Sequence, residues 1–198
     1  MQNAEPRFIL ICCEGKTEKE YFDIIADVFR VTLARTVIIV GEKGQHKYLI
    51  DQTVNERNTL AEQLEVDASE VECWAVCDHD KMSIRYSELI KYATTNNIEL
   101  AFSKPQFEAY LIQHFERSKE VKKESLYAKL SEISAIFGEE KPYEDNKSNL
   151  KWLQKAVLDN PKLVEIAIIN SKIRDKSAMS LFLTVHKLTE YLISLEPK

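Results

Sequence analysis

Three acidic residues stand where a protein could assemble a metal site. Glu14 follows the apolar run Phe8–Cys13, and Asp78 and Asp80 follow the apolar run Val71–Cys77. If both runs are neighbouring parallel strands, their carboxyl ends meet at the edge of the sheet where open α/β folds bind ligands. Carboxylates gathered there form an all-oxygen site suited to Mg²⁺ or Mn²⁺, which can polarise a phosphate and activate water.

The first acidic residue depends on a strand, a turn and a helix. The run Phe8–Cys13 is typical of a strand that is covered on both faces, and Gly15 marks the turn after it. Thr17 stands three residues before Glu20, which predicts a capping box. Apolar residues then recur at helical spacing, so a helix is expected over residues 17–30.

The alternation of strand and helix continues to residue 102. Strands are predicted at Thr36–Val40, Val71–Cys77 and Ile98–Phe102, with helices over residues 49–64 and from about Tyr86. This order favours an α/β fold with a Rossmann-like, mostly parallel sheet flanked by helices.

The chain beyond residue 103 changes character and is predicted to be mostly helical. Pro105 is expected to open a helix, and Pro161 to start another segment. Met179–Leu195 is predicted to close the chain as an amphipathic helix. Val164–Ile169 fits a strand as well as a helix.

Composition limits the kind of protein. With 198 residues, 44% hydrophobic and 30% charged, the chain is expected to form an α/β core at residues 1–118. A helical extension at residues 119–198 is expected to pack on it as one compact unit. The net charge of −5 disfavours a protein that coats nucleic acid by broad electrostatics, but not an enzyme with bound Mg²⁺. With no membrane span or signal peptide visible, we expect a cytoplasmic protein.

The cysteines are interpreted as buried thiols. Cys12, Cys13, Cys73 and Cys77 all lie inside apolar runs. Cys12 and Cys13 are adjacent and would point to opposite faces of a strand, which disfavours a zinc site. Buried free thiols in a reducing compartment are therefore expected.

Several motifs in order resemble the RloB family. They are Glu14-Gly-Lys-Thr-Glu18 with Tyr21-Phe22, Cys77-Asp-His-Asp80, Ser103-Lys-Pro-Gln-Phe-Glu108 with His114-Phe115, and the late segment Leu181–Leu192. The resemblance spans most of the chain. It implies a TOPRIM-type domain, the fold shared by topoisomerases, primases and OLD-type nucleases, in which a glutamate and an Asp-x-Asp bind Mg²⁺. Those roles carry to Glu14, Asp78 and Asp80.

The resemblance also implies a biological setting. It indicates a nuclease in anti-phage or restriction-linked defence, acting with an RloA-like ATPase partner on DNA or RNA, tRNA included. Lys104 and Gln106 flank Pro105 where the family usually has asparagine and cysteine, and Tyr110 stands where tryptophan is frequent. These departures leave the acidic residues intact. The substrate and the number of copies that assemble stay open.

Two further carboxylates are candidates for catalysis. Glu108 has apolar helical neighbours, so we expect it to be partly buried and to need a cation, either a second metal ion or Lys16. A structural ion pair is the alternative. Glu18 either reaches the site from the first turn of its helix or only favours the positive helix end. His114 is expected to be a hydrogen-bonded core residue, and His79 to point away from its flanking aspartates.

Basic residues near the strand ends are candidates for substrate binding. We expect phosphate contacts from Lys16, Lys81, Arg85 and Lys104, with ordinary surface charge as the alternative. The charged run Lys119–Glu124 is interpreted as a solvated helix face.

Three functions fit these residues. The leading one is a Mg²⁺-dependent nuclease, and the second is a sensor or scaffold subunit that binds metal or nucleic acid without turnover in an ATPase complex. The third is a small-molecule phosphatase of the haloacid dehalogenase type, whose motif has threonine or valine where Met82 stands. ATP binding through a P-loop is excluded, because Leu10 stands where that motif requires glycine.

Overall fold

The computed structural model describes residues 8–80 and 82–195, and its strands form one mostly parallel sheet. The five strands are β1 (Phe8–Cys13), β2 (Thr36–Val40), β3 (Val71–Asp78), β4 (Glu99–Lys104) and β5 (Phe182–Leu183). Their order is β2-β1-β3-β4-β5, and only β5 runs antiparallel to its neighbour. The predicted fold class, an α/β protein with a mostly parallel sheet and a helical C-terminal half, is confirmed.

Helices connect the parallel strands. They are α1 (Lys16–Val28), α2 (Val31–Ala34), α3 (His46–Leu64) and α4 (Tyr86–Thr95). The predicted capping box of α1 is wrong. Gly15 is the N-cap, and no side chain that the structure describes caps the helix, because α1 begins at Lys16 and Thr17 already lies in its first turn.

The second half adds five helices to the described part of the chain. They are α5 (Glu108–Ile112), α6 (Lys123–Ile136), α7 (Lys151–Asp159), α8 (Lys162–Lys172) and α9 (Val185–Ser194). Pro105 does not open a helix; it follows a cis peptide bond with Lys104, and α5 begins at Glu108. The ambiguous segment Val164–Ile169 lies within α8.

The end of the chain departs from the single helix predicted over Met179–Leu195. Leu183 pairs with Ser103 and Phe182 with Lys104, so two residues join the sheet before α9 begins. Thr184 extends this contact, because its Oγ1 accepts a hydrogen bond from the backbone N–H of Phe102 at 2.9 Å. This edge holds the end of β4 in place.

Two apolar layers cover the sheet, one on each face. Ile9, Ile11 and Cys13 point into one layer, and Leu10 and Cys12 into the other, because successive strand residues alternate. The layer that contains Ile9 also takes in residues from beyond position 118, among them Leu126, Leu153 and Leu188. Helices α1, α5, α6 and α9 therefore all meet on this face.

All four cysteines are free and buried, as predicted. Burial raises the pKa of the Cys12 thiol to about 11 and that of the Cys73 thiol to about 12, so both stay protonated at neutral pH. Within residues 8–80 and 82–195, no helix combines the length and the apolar character needed to cross a membrane.

Candidate functional site

The ends of β1 and β3 bring Glu14 and Asp78 together. The backbone N–H of Glu14 donates to the carbonyl of Val76 at 2.9 Å, which continues the parallel pairing beyond Cys13. The backbone N–H of Asp78 lies 3.4 Å from Oε2 of Glu14. The two residues are therefore neighbours at the carboxyl edge of the sheet.

Asp78 and Asp80 occupy different environments. Asp80 is exposed, and its backbone N–H donates to Oδ1 of Asp78 at 2.8 Å, which forms a tight turn after β3. The His79 ring between them lies edge-on to Phe102, with ring centres 6.4 Å apart, so it packs on the sheet. Asp78 is thus the inner carboxylate of the pair and Asp80 the outer one.

Glu18 and Glu108 approach the same edge from the helices above the sheet. Glu18 is only 6% exposed and Glu108 only 8% exposed. Oε2 of Glu18 lies 2.9 Å from the point where a Cβ on Gly15 would stand. A glycine at this position therefore leaves the space that the Glu18 carboxylate occupies.

The charges of these carboxylates repel one another and raise their pKa values. Burial, then the charge of Glu14, and then the smaller effects of Glu108 and Asp80 together raise the pKa of Asp78 to about 7, against the hydrogen bond from the backbone N–H of Asp80. Burial also raises the pKa of Glu18 to about 8, with contributions from Asp78, Glu108 and Glu14. All five acidic candidates therefore belong to one electrostatic cluster.

Glu14 and Glu108 are also less acidic than ordinary glutamates. Burial raises the pKa of Glu14, and a hydrogen bond from Gln45 opposes this; Nε2 of Gln45 lies 2.7 Å from Oε1 of Glu14. Burial raises the pKa of Glu108, and the hydroxyl of Tyr143, which donates to Oε1 at 3.2 Å, opposes it.

The predicted partner of Glu108 is wrong in one respect. Lys16 lies 3.6 Å from Glu42 and is 65% exposed, because it leads α1 on its outer side. The positive charges that lower the pKa of Glu108 are those of Lys147 and Lys123. The positive charges that act on Glu108 therefore come from the helical half of the chain.

The remaining basic candidates lie around the site at different depths. Lys104 ends β4 and is half-buried, and its charge helps to lower the pKa of His79 after the larger effect of burial. Arg85 is exposed at the N-cap of α4. Lys81 lies outside the described residues.

The structure adds residues that the sequence analysis missed. His46 Nε2 donates to the backbone carbonyl of Asp78 at 3.2 Å, beside the contact that Gln45 makes with Glu14. Ser103, paired with Asp78 across β3 and β4, is fully buried, and its Oγ has no hydrogen-bond partner among the described residues. The only sequence signal near Gln45 and His46 is the glycine-containing loop that begins at Gly41. Ser103 stands out in the sequence only as the first residue of the Ser103–Glu108 motif.

His114 is the core residue that was expected. Its ring is fully buried; Nδ1 donates to the carbonyl of Leu111 at 3.1 Å, so Nε2 is left to accept from the hydroxyl of Tyr21 at 3.3 Å. Burial lowers the pKa of His114 to about 4, which keeps the ring neutral.

The carboxylate groups at this site are chemically suited to bind a hard divalent cation. Carboxylate oxygens are the ligands that Mg²⁺ and Mn²⁺ prefer, and the buried, mutually repelling carboxylates would gain from a positive charge. As the side chains stand, no three His, Cys, Asp or Glu residues among the described ones are arranged to hold a metal ion. One oxygen of Glu14 is engaged with Gln45, so metal binding requires side-chain rotation around this edge.

Comparison with family models gives one result that covers nearly the whole chain. The model of RloB-like proteins matches residues 9–192. The chain belongs to the RloB-like family. Membership covers both the strands that carry Glu14 and Asp78 and the helices that carry Glu108 and Tyr143. Searches among curated proteins and among solved structures gave no match.

Proposed function

We propose that this RloB-like protein is a Mg²⁺-dependent nuclease whose metal ligands are Glu14, Asp78 and Asp80. One observation carries the proposal. Five acidic side chains from β1, β3, α1 and α5 converge at the carboxyl edge of the parallel sheet, where burial raises the pKa of the inner ones. Crowding like charges lowers the stability of the fold. Such a loss of stability is typical of sites that are selected for function.

A divalent cation resolves the electrostatic conflict of this site. Asp78 and Glu18 do not form an ion pair with any Lys or Arg that the structure describes. Uncompensated buried carboxylates take up protons instead, which is the meaning of their raised pKa values. Mn²⁺ serves the same ligand set as Mg²⁺.

The residues of the chain have separate roles in phosphodiester hydrolysis. A bound Mg²⁺ supplies polarisation of the phosphate and activation of water. Asp78 and Glu14, at the strand ends, would hold the cation, and Asp80 would add a ligand from the turn. Glu18, with Oε2 over Gly15, is placed to exchange a proton near neutral pH, and Tyr143 orients Glu108.

The family resemblance supports the wider setting of the proposal. A glutamate after the first strand and an Asp-x-Asp after the third match the acidic motif of TOPRIM-type nucleases. On that basis we propose that the protein acts in anti-phage or restriction-linked defence with an RloA-like ATPase partner. The proposal does not choose between DNA and RNA, tRNA included, so the assays compare both as substrates.

Cleavage assays test this function. Wild-type protein and the Asp78→Asn variant are incubated with plasmid, single-stranded DNA and total tRNA, with Mn²⁺, with Mg²⁺ or with EDTA. Metal-dependent cutting that Asp78→Asn abolishes and the exposed control Glu62→Gln retains is the expected result. Circular dichroism checks that all three proteins are folded.

Three results would count against this proposal. If Asp78→Asn cuts nucleic acid at the wild-type rate, Asp78 is not a metal ligand needed for cleavage. Metal and nucleic-acid binding without cleavage, with the ATPase partner also present, favours a sensor or scaffold subunit. Metal-dependent hydrolysis of phosphomonoesters with no action on nucleic acid favours the phosphatase alternative.

A further inference from the structure

Two lysines from the helical half are held on one aromatic ring. The Nζ of Lys123, at the start of α6, lies 5.5 Å from the ring centre of Tyr127, and the Nζ of Lys147 lies 4.5 Å from it. Tyr127 is 8% exposed, so its ring is a fixed platform. Because both nitrogens approach the same ring, they lie at most 10 Å apart although 24 positions separate the residues along the chain.

The same ring connects the lysines to the acidic site. The rings of Tyr127 and Tyr143 pack with their centres 5.6 Å apart, and the Tyr143 hydroxyl donates to Oε1 of Glu108 at 3.2 Å. The charges of Lys147 and Lys123 reach Glu108, where they oppose the effect of burial on its pKa. The two lysines therefore stand at the rim of the carboxylate cluster.

Both ammonium groups are available to an anion. Neither has a carboxylate within ion-pair distance among residues 8–80 and 82–195, unlike Lys16, which faces Glu42. Lys123 is exposed and Lys147 half-exposed. A hydrogen bond with Tyr127 raises the pKa of Lys147, so this group stays charged at neutral pH.

We propose that Lys123 and Lys147 bind the phosphate backbone of the nucleic acid that enters the acidic site. The inference rests on the proposed nuclease function and adds a substrate-binding surface to it. Five carboxylates repel a polyanion, and a metal ion offsets this repulsion only at the phosphate that it contacts. Lysines beside the cluster attract the flanking phosphates and set the position of the strand. Their anchoring on Tyr127 reduces the freedom that binding must remove.

Binding can be separated from cleavage by replacing Mg²⁺ with Ca²⁺. Fluorescence anisotropy of a labelled single-stranded oligonucleotide, in DNA and in RNA form, is measured between about 50 and 200 mM salt. The test variant is K123Q/K147Q, and the matched control is K91Q/K162Q, which removes the same charge from two exposed lysines outside the site. K123R/K147R restores the charge, and thermal unfolding verifies that all variants fold.

The expected result is a specific loss of electrostatic binding. K123Q/K147Q weakens binding about tenfold or more, and the slope of log affinity against log salt becomes shallower by about 1.4, for two lost contacts to a single strand. K91Q/K162Q and K123R/K147R stay close to wild type.

Contrary results separate this inference from the nuclease proposal. If K123Q/K147Q binds like the charge-matched control while wild-type protein cuts nucleic acid with Mg²⁺, the substrate role of the lysines is wrong and the nuclease stands. If K123R/K147R loses binding as K123Q/K147Q does, the lysines act through packing and the inference is also wrong. If the wild-type protein neither binds nor cuts DNA or RNA, both proposals fall.

Discussion

The hydroxyl of Tyr143 donates a hydrogen bond of 3.2 Å to Oε1 of Glu108, and both side chains are buried. Glu108 belongs to α5 at the edge of the sheet, whereas Tyr143 lies in a short turn between α6 and α7. This contact fixes a carboxylate of the acidic site from the helical half of the chain.

Removing the Tyr143 hydroxyl should make the buried charge of Glu108 more destabilising. We expect Tyr143→Phe to lower the free energy of unfolding by about 1–3 kcal/mol at pH 8, because a buried acceptor loses its donor. The loss should be smaller at pH 5, where Glu108 is protonated more readily. Urea denaturation at both pH values measures this, with Tyr48→Phe, an exposed tyrosine, as the control. An equal loss at both pH values would show that the bond does not serve the charged carboxylate.

The metal-free protein should lose stability as the pH rises from about 5 to about 8. The folded state holds protons on Asp78 and Glu18 up to pKa values of about 7 and about 8, whereas the unfolded chain releases them near 3.8 and 4.5. The folded state therefore binds more protons in this window, and the free energy of unfolding falls as the pH rises. The two raised pKa values correspond to a loss of up to roughly 6 kcal/mol between pH 5 and pH 8.

Thermal unfolding in EDTA across this range measures the effect. Asp78→Asn should be more stable than wild type at pH 8 and should show a flatter pH profile, because one of the repelling charges is gone. Added Mg²⁺ should stabilise the wild type most at high pH and should have little effect on Asp78→Asn. A wild-type profile that rises with pH in EDTA would contradict the electrostatic description of the site.

The positions of Glu14 and Asp78 were predictable because each follows an uninterrupted apolar strand. Strand runs of this kind are strong signals, and the convergence of parallel strand ends is a general rule. The burial of Glu108 was predictable from its apolar helical neighbours. Whether these residues bind metal stays a prediction.

Other parts of the site had no local signal. Tyr143 and Lys147 lie in a charge-rich stretch without helical or strand periodicity. Their positions depend on tertiary contacts: both side chains contact the ring of Tyr127, and Tyr143 also bonds to Glu108. The two-residue strand β5 is too short for any pattern to reveal, because pairing with β4 creates it. The prediction of a capping box at Thr17 was wrong because the N-cap is Gly15, two residues earlier than the pattern suggested.

Gly15 should be needed for the position of Glu18 rather than for the fold. In Gly15→Ala the new Cβ would stand 2.9 Å from Oε2 of Glu18, and this flexible carboxylate can move away. We expect a cost below about 1 kcal/mol in stability, because Gly15 has an extended backbone that alanine also adopts. Nuclease turnover should fall at least about tenfold if Glu18 handles a proton.

A double-mutant cycle tests whether the effect of Gly15 acts through Glu18. Turnover is measured for Gly15→Ala, Glu18→Gln and the double variant. If the glycine acts through the carboxylate, the double variant should be no slower than Glu18→Gln alone. Additive losses would place the role of Gly15 elsewhere in the turn.

His114 should limit the stability of the fold in acid. Its folded-state pKa is lowered by burial to about 4, whereas the unfolded chain binds the proton near 6.5, so the unfolded state binds more protons between these values. Stability contributed by the neutral ring is present above pH 6.5 and is lost as the pH falls, by up to roughly 3 kcal/mol. Two-dimensional NMR of the imidazole nitrogens should show a neutral ring that keeps its proton on Nδ1 at pH 5, because Leu111 accepts from Nδ1 and Tyr21 donates to Nε2. In the His114→Gln variant, the loss of stability in acid should be smaller. Titration of His114 near pH 6.5 would contradict the buried hydrogen-bond network that fixes the ring.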